Sequence, residues 1–182
     1  MIVDIQQITS LSEFDFDNFF LSSFERMEKN FLWPASIITY EQKKHVYNNQ
    51  LLTAIDGTWP LKNDTDTFIM FITSIDGQAV EFAAGYLDAA GYLSLRWNLT
   101  TDGPSGNRNW RYTPEALQAR KQFITDIGAI GVKEFTWVGS LLYRIHKVRS
   151  QTGNYTLEET PIVRDPDPFP GQQLVEFTIR FN

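Results

Sequence analysis

The sequence predicts an α+β or α/β architecture: a mainly antiparallel sheet of about seven strands packed by three to four helices. Three observations lead there. Runs of alternating apolar and polar residues, bounded by turn residues, recur from residue 67 onward. An Asp-Gly pair, Asp76-Gly77, separates the first two of these runs, a strong hairpin signal. Other segments place apolar residues at helical spacing, several of them behind recognisable N-caps.

Taken in order, Ile2-Val3-Asp4-Ile5 reads as a short opening strand. Ser10-Leu11-Ser12-Glu13 is a capping box predicted to start a helix running to about Asn30, with Phe16, Phe20, Phe24 and Met27 at helical spacing. Burying each ring stabilises the fold by about 2 kcal/mol, so this stripe is assigned to the core. A break at Trp33-Pro34 precedes a second capping box, Thr39 to Gln42, and a shorter helix to about Gln50. The turn-rich stretch 56–66, with Gly57, Pro60 and Asn63, then leads into the sheet.

Strands are predicted over 67–73, 79–87 and 92–100, joined by Ile75-Asp76-Gly77-Gln78 and Asp88-Ala89-Ala90-Gly91. In the third, Leu93, Leu95, Trp97 and Leu99 alternate with Tyr92, Ser94, Arg96 and Asn98, which predicts one apolar and one polar face. A Gly-rich loop over 101–110 leads to Thr113-Pro114, an N-cap followed by the proline favoured at a first helical position. The long helix beyond should bury Leu117, Phe123, Ile124, Ile127 and Ile130 and end at Gly128 to Gly131. Residues 134–138 read as a short strand, and 141–150 as a basic helix that turns Leu142, Ile145 and Val148 to one side. The last strands are expected at 155–163 and 174–181, the latter pointing Val175, Phe177, Ile179 and Phe181 inward, with an irregular loop from Pro166 to Gly171 between them.

The 182 residues, 42% of them hydrophobic, suffice for one full core, so a single domain over 1–182 is expected. The chain has no cysteine, which removes disulfides, thiolate zinc sites and a cysteine nucleophile and suits a reducing compartment. No apolar run approaches the ~20 residues of a spanning helix, and the first Lys or Arg is Arg26. Neither a membrane span nor a signal peptide is expected, and a cytoplasmic location is. A net charge of −6 opposes binding to phosphate backbones, so nucleic acid is not an expected partner. His45 has no second ligand at metal spacing, and no metal is expected. Gly-x-Ser-x-Gly, Walker and dinucleotide patterns are absent.

The order of elements, together with the segments 92–130 and 135–153, resembles the GNAT acyltransferase superfamily. What the resemblance implies is a GNAT-like fold that takes acetyl-CoA or another acyl-CoA as donor and a small-molecule or peptide amine as acceptor. It further implies that the end of the fourth strand, Leu99 and Thr100, and the loop residues Gly103, Ser105, Gly106, Asn107 and Arg108 hold the cofactor. Backbone donors and a helix dipole can together hold a pyrophosphate. The family's Arg/Gln-x-x-Gly-x-Gly/Ala spacing is not met, and Glu115 puts a negative charge in the first helical turn, so a plain connecting loop is the alternative reading.

On the same resemblance, a proton donor to the leaving thiolate is expected on the helix after the fifth strand, where His146 and Tyr143 are the candidates. The ordinary reading of His146 is a solvated residue on the basic face formed with Arg144, Lys147 and Arg149. The segment Phe135-Thr136-Trp137-Val138-Gly139-Ser140 is similar to GNAT-like proteins encoded by tailed phages. That likeness implies a second possibility: a non-catalytic protein, in host cytoplasm or virion, acting on a protein partner or a second copy of itself. Trp110 and Phe169 would then be contact residues.

Overall fold

The computed structural model describes residues 1–30, 39–107, 109–163, 165 and 171–182, without the side chains of 26–30 and 141. The Met27 side chain, the Trp33-Pro34 break, Arg108 and the run from Pro166 to Pro170, with Phe169, lie outside the described residues. In chain order the elements are β1 (Val3–Ile8), α1 (Phe16–Asn30), α2 (Tyr40–Ile55), β2 (Thr67–Ile75), β3 (Gln78–Leu87), β4 (Tyr92–Thr100), α3 (Pro114–Asp126), β5 (Gly131–Trp137), α4 (Leu141–Ser150), β6 (Tyr155–Ile162) and β7 (Leu174–Phe181). Short 3-10 turns lie at Leu11–Glu13, Pro104–Gly106 and Trp110–Tyr112. The strands form one sheet in the order β1-β2-β3-β4-β5-β7-β6, antiparallel except for β4–β5. This is the mixed, mainly antiparallel architecture that the sequence predicts.

Local signals act where they were read, with some changes of extent. The Ser10 capping box forms, but it caps the 3-10 turn; Phe14 then runs extended and stacks on Phe82 with ring centroids 4.4 Å apart. Burying that ring interrupts the helix, which restarts at Phe16. The Thr39–Gln42 box starts α2 as expected, yet the helix continues to Ile55, because Leu51 and Ala54 are core residues. At the first hairpin Asp76 and Gly77 both take positive φ, the requirement of a primed turn.

Helices pack on both faces of the sheet. Phe19 and Phe20 of α1 and Leu51 and Ala54 of α2 pack over Met70, Ile72, Phe82, Trp97 and Leu99. On the other face Phe123 and Ile124 of α3 cover Ile69, Phe71, Ala83, Leu93, Leu95 and Val132, and Tyr143 of α4 packs beside Val175, Phe177 and Ile179.

The simple alternation expected for β4 does not hold. β3 pairs Ala84 with Trp97 but Gly85 with Leu95, so Arg96 is an extra residue in the ladder. The bulge sends Leu93 and Leu95 toward α3 and turns Trp97 and Leu99 toward α1 and α2. Gly85 makes room for it, since a Cβ there would run into the Ser94 carbonyl.

Beyond the bulge β4 leaves its other neighbour. Parallel pairing with β5 covers Tyr92, Leu93 and Ser94 against Gly131, Val132 and Lys133. From there β5 pairs with β7 alone, and a wedge opens between β4 and β5.

Three further expectations change. Ile130 is 58% exposed, because α3 ends at Asp126 and Gly128, at positive φ, turns the chain away. Val148 is also largely exposed, whereas His146 of the same helix is buried. β5 begins at Gly131 rather than at 134, since its first residues pair with β4.

Gly85→Ala should destabilise the protein by about 2–3 kcal/mol through backbone overpacking at the bulge. A chemical-denaturation midpoint measures it, and an unchanged midpoint would show that the bulge can relax.

Candidate functional site

The wedge walls can be followed group by group. The Thr101 amide bonds the Val80 carbonyl on β3, so by strand alternation the amides of Asn98 and Thr100 point toward the β5 side. These are the donors that a parted sheet leaves for a ligand. Here helix side chains take them. Asn98 N–H donates to Tyr47 Oη of α2 at 2.8 Å, and Thr100 N–H donates to Ser23 Oγ of α1 at 2.6 Å. Ser23 Oγ in turn donates to the Thr100 carbonyl at 3.0 Å.

On the α3 side lies a buried chain of charges. Glu81 of β3 is fully buried and accepts from Thr73 Oγ1 at 2.7 Å, Asn98 Nδ2 at 3.2 Å, Arg111 at 2.7 Å and Arg120 at 2.6 Å. Arg120 also approaches Glu134 of β5 at 3.8 Å. Arg120 of α3 thus spans from β3 to β5 across the parting of β4 and β5, while Arg111, on the 3-10 turn before α3, joins it at Glu81. Glu134 Oε2 lies 3.1 Å from His146 Nε2, and His146 Nδ1 lies 3.3 Å from the Tyr155 hydroxyl. Nε2–H donates to the carboxylate, and the Tyr155 hydroxyl beside Nδ1 also reaches the His146 carbonyl at 3.5 Å.

Burial alone would raise both carboxyl pKa values. Arg120 and Arg111, with the Thr73 hydroxyl, outweigh it at Glu81 and hold that group below the ordinary range. At Glu134 the hydrogen bond and charge of His146, then the arginines, lower it to about 2. Burial raises the Tyr155 phenol. Carboxylates held so firmly ionised are weak bases at neutral pH, so the cluster is better suited to holding elements together than to moving protons.

A cavity of about 30 Å³ remains beside this chain, lined by Leu117, Arg120, Glu134, His146, Tyr155 and Ile179 among others, with room for about one or two waters. Arg120 Nε is buried without a partner in the structure. The Tyr112 ring stands edge-on to His146, and Arg149 lies over Tyr112.

The sequence-derived candidates are dispersed. His146 lines the cavity. Tyr143 does not; its hydroxyl donates to Glu159 at 3.1 Å and its ring stacks on Phe177. The Leu99 side chain is wholly within the α1/α2 core, and Thr100 is held by Ser23.

In the loop, Gly103 N–H bonds the Asn107 carbonyl at 2.9 Å and Gly106 N–H the Gly103 carbonyl at 3.0 Å. Asn107 N–H bonds Pro104 at 3.4 Å, and Ser105 takes positive φ to close the turn. These amides face into the loop rather than toward a common external point. Beneath it Trp110 is fully buried among Ile75, Val80 and Ala116, with Nε1–H on the Thr101 carbonyl at 3.2 Å. Its reading as a contact surface is therefore corrected: the ring is core. Among the described residues no three His, Asp or Glu side chains converge as metal ligands.

Sequence reasoning missed Glu81, Arg111, Arg120, Glu134 and Tyr155. One signal was present. Glu81 is the single charge in Ala79-Val80-Glu81-Phe82-Ala83-Ala84, and a carboxylate on a buried strand requires cations from elsewhere.

Glu81→Leu should lower stability by about 3–5 kcal/mol, because it leaves two buried guanidiniums without their carboxylate. Lys147→Ala, which removes an exposed pair with Glu159, should barely move the denaturation midpoint. Both buried glutamates have folded pKa values below their unfolded ones. Their stabilisation is thus complete above the unfolded value of about 4.3 and is lost as pH falls toward the folded value. Thermal melts should hold steady from neutral pH to about pH 5 and drop below about pH 4.5, and Glu134→Gln should flatten that drop.

No family model matches the sequence, and comparison with curated proteins gives no significant match. Solved structures do match. An acetyltransferase from Salmonella typhimurium that modifies the N-terminal serine of ribosomal protein L7/L12 aligns with a TM-score of 0.59 at 9% identity, over 100% of this chain and 96% of that one. AAC(6')-Ib in complex with paromomycin and acetyl-CoA aligns with a TM-score of 0.57 at 11% identity, over 100% and 94%. A protein from Desulfovibrio desulfuricans assigned to the GNAT family aligns with a TM-score of 0.52 at 11% identity, over 98% of each chain. With its strand order and its parted β4–β5 pair, the chain has the fold of the GNAT acetyltransferases.

Proposed function

We propose that this chain is a non-catalytic GNAT-fold protein whose acyl-CoA cleft is filled by its own side chains and which acts through protein contacts. The observation that carries this reading is the capping of the wedge amides: Asn98 by Tyr47 and Thr100 by Ser23. A pantetheine arm laid along β4 would have to displace two helix side chains and gain only the hydrogen bonds they already make. The self-bonded loop amides, buried Trp110, and Glu115 in the first turn of α3 support it from the phosphate end. Contact surface is available on the other side of the sheet. There Phe135 is part-exposed, and the exposed Arg96 lies over its ring at 4.5 Å. The likeness of residues 135–140 to phage-encoded GNAT-like proteins is in keeping with this reading, whose proposed setting is host cytoplasm or virion. No helix among the described residues is long and apolar enough to cross a membrane.

A second reading, an acyl-CoA-dependent N-acyltransferase acting on a small-molecule or peptide amine, is favoured by the parting of β4 and β5 itself. In that reading Tyr112 and Arg149 move aside, and His146, paired with Glu134, exchanges the proton. That some structural neighbours carry coenzyme A or acetyl-CoA makes acyl-CoA a reasonable ligand to try.

Titration calorimetry and thermal shift with acetyl-CoA separate the two. The expected outcome is no heat and no shift at millimolar ligand. Saturable binding, lost when the phosphate-end loop is altered, would replace the first reading with the second.

A further inference from the structure

The two edges of the sheet are not equivalent. At β6 the Asn182 amide bonds the Asn154 carbonyl, so alternation along the strand turns Tyr155, Leu157, Glu159 and Pro161 outward. Pro161 has no N–H to offer and its ring obstructs an incoming strand, while Glu158 and Glu159 add charge. This edge is protected against pairing.

At β1 the Asp76 amide bonds the Ile2 carbonyl, and the pairing with β2 runs without a shift from Val3 to Ile8. Alternation therefore turns the backbone groups of Val3, Ile5 and Gln7 toward the open edge. The next outward amide, Thr9, is taken by the Glu13 carboxylate at 2.9 Å, which ends the available stretch. Among the described residues no strand lies beyond β1. α3 packs on the face of β1 that carries Val3 and Ile5, but it leaves Gln7 exposed, and Asp4 and Gln6 are exposed on the opposite face. β1 contains no proline and carries one charge, Asp4.

We infer that β1 is a strand-addition edge on which a second copy of this chain pairs antiparallel, Ile5 against Ile5. Parity limits the choice to registers in which outward residues meet; of these, Ile5 against Ile5 engages all three outward residues, whereas a shift that sets Val3 against Ile5 puts Asp4 opposite Asp4. A two-fold axis through Ile5 places Val3 against Gln7 and Gln7 against Val3, so every outward residue meets an outward residue and each pair exchanges both N–H···O bonds. Ile5 then packs on Ile5 along one face. On the other face Asp4 meets Gln6 of the second copy, which can donate to its carboxylate, and no two like charges stand directly opposite. The sheet would continue through both copies, and the half-buried Val3 and Ile5 side chains would gain cover. This pairing uses nothing from the wedge, so it stands whether or not acyl-CoA binds.

The test is sedimentation equilibrium on the full chain and three variants at the exposed positions, with circular dichroism confirming that each is folded. The wild type should dimerise. Gln6→Glu sets a carboxylate opposite Asp4 twice per dimer and should weaken association roughly tenfold. Gln6→Lys sets opposite charges there and should strengthen association by a similar factor. Gln7→Pro removes an outward donor without touching the β2 ladder and should abolish the dimer. A wild type that stays monomeric up to about 0.1 mM, or a dimer with the same dissociation constant in all three variants, would overturn the proposal.

Discussion

A carboxylate with no access to water organises this molecule. Glu81 sits at the middle of β3, and a lone ion there would cost several kcal/mol. Its ionised state requires both Arg111 and Arg120, which fixes the 3-10 turn before α3 and the rotation of α3 about its axis. Arg120 in turn reaches toward Glu134, and Glu134 holds His146 and thereby α4. The chain of contacts runs from β3 under two helices to β5, so α3 and α4 are seated by one connected network. Such networks act as a unit: each member is satisfied only while the others are in place.

That network lies where the sheet comes apart. Parting two strands strands their facing backbone groups, and those groups must find partners inside the protein, in water or in a ligand. In this chain the β4 amides find Tyr47 and Ser23, and the guanidiniums close the opposite face. The loop before α3 bonds to itself around a positive-φ serine, over a tryptophan that fills the space beneath the helix start. Fold alone therefore does not fix function: the hydrogen-bonding capacity of a parted sheet can be taken up by side chains of the same chain.

Much of the architecture was legible because it is encoded locally. The capping boxes at Ser10 and Thr39, the Thr113-Pro114 start, the Asp76-Gly77 turn and the inward Val175, Phe177 and Ile179 each depend on neighbours within a few residues. The β4 pattern misled because a bulge at Arg96 depends on the partner strand, where Gly85 leaves room; alternation in β4 alone cannot reveal it. His146 reads as surface because its helix neighbours are basic. Its burial follows from a carboxylate 12 residues earlier in the chain and a phenol 9 residues later.

By itself, the sequence determined the kind of elements, their order and the mixed, mainly antiparallel sheet, since these follow from periodicity, caps and turn residues acting over short range. Tertiary structure alone decided what became of the wedge. Whether Glu81 meets Arg111 and Arg120, 30 and 39 residues away, and whether Tyr47 and Ser23 reach β4, 51 and 77 residues away, depends on how helices dock on a twisted sheet. No local propensity sets that docking; it is set by the joint requirement that every buried charge and every unpaired strand amide find a partner.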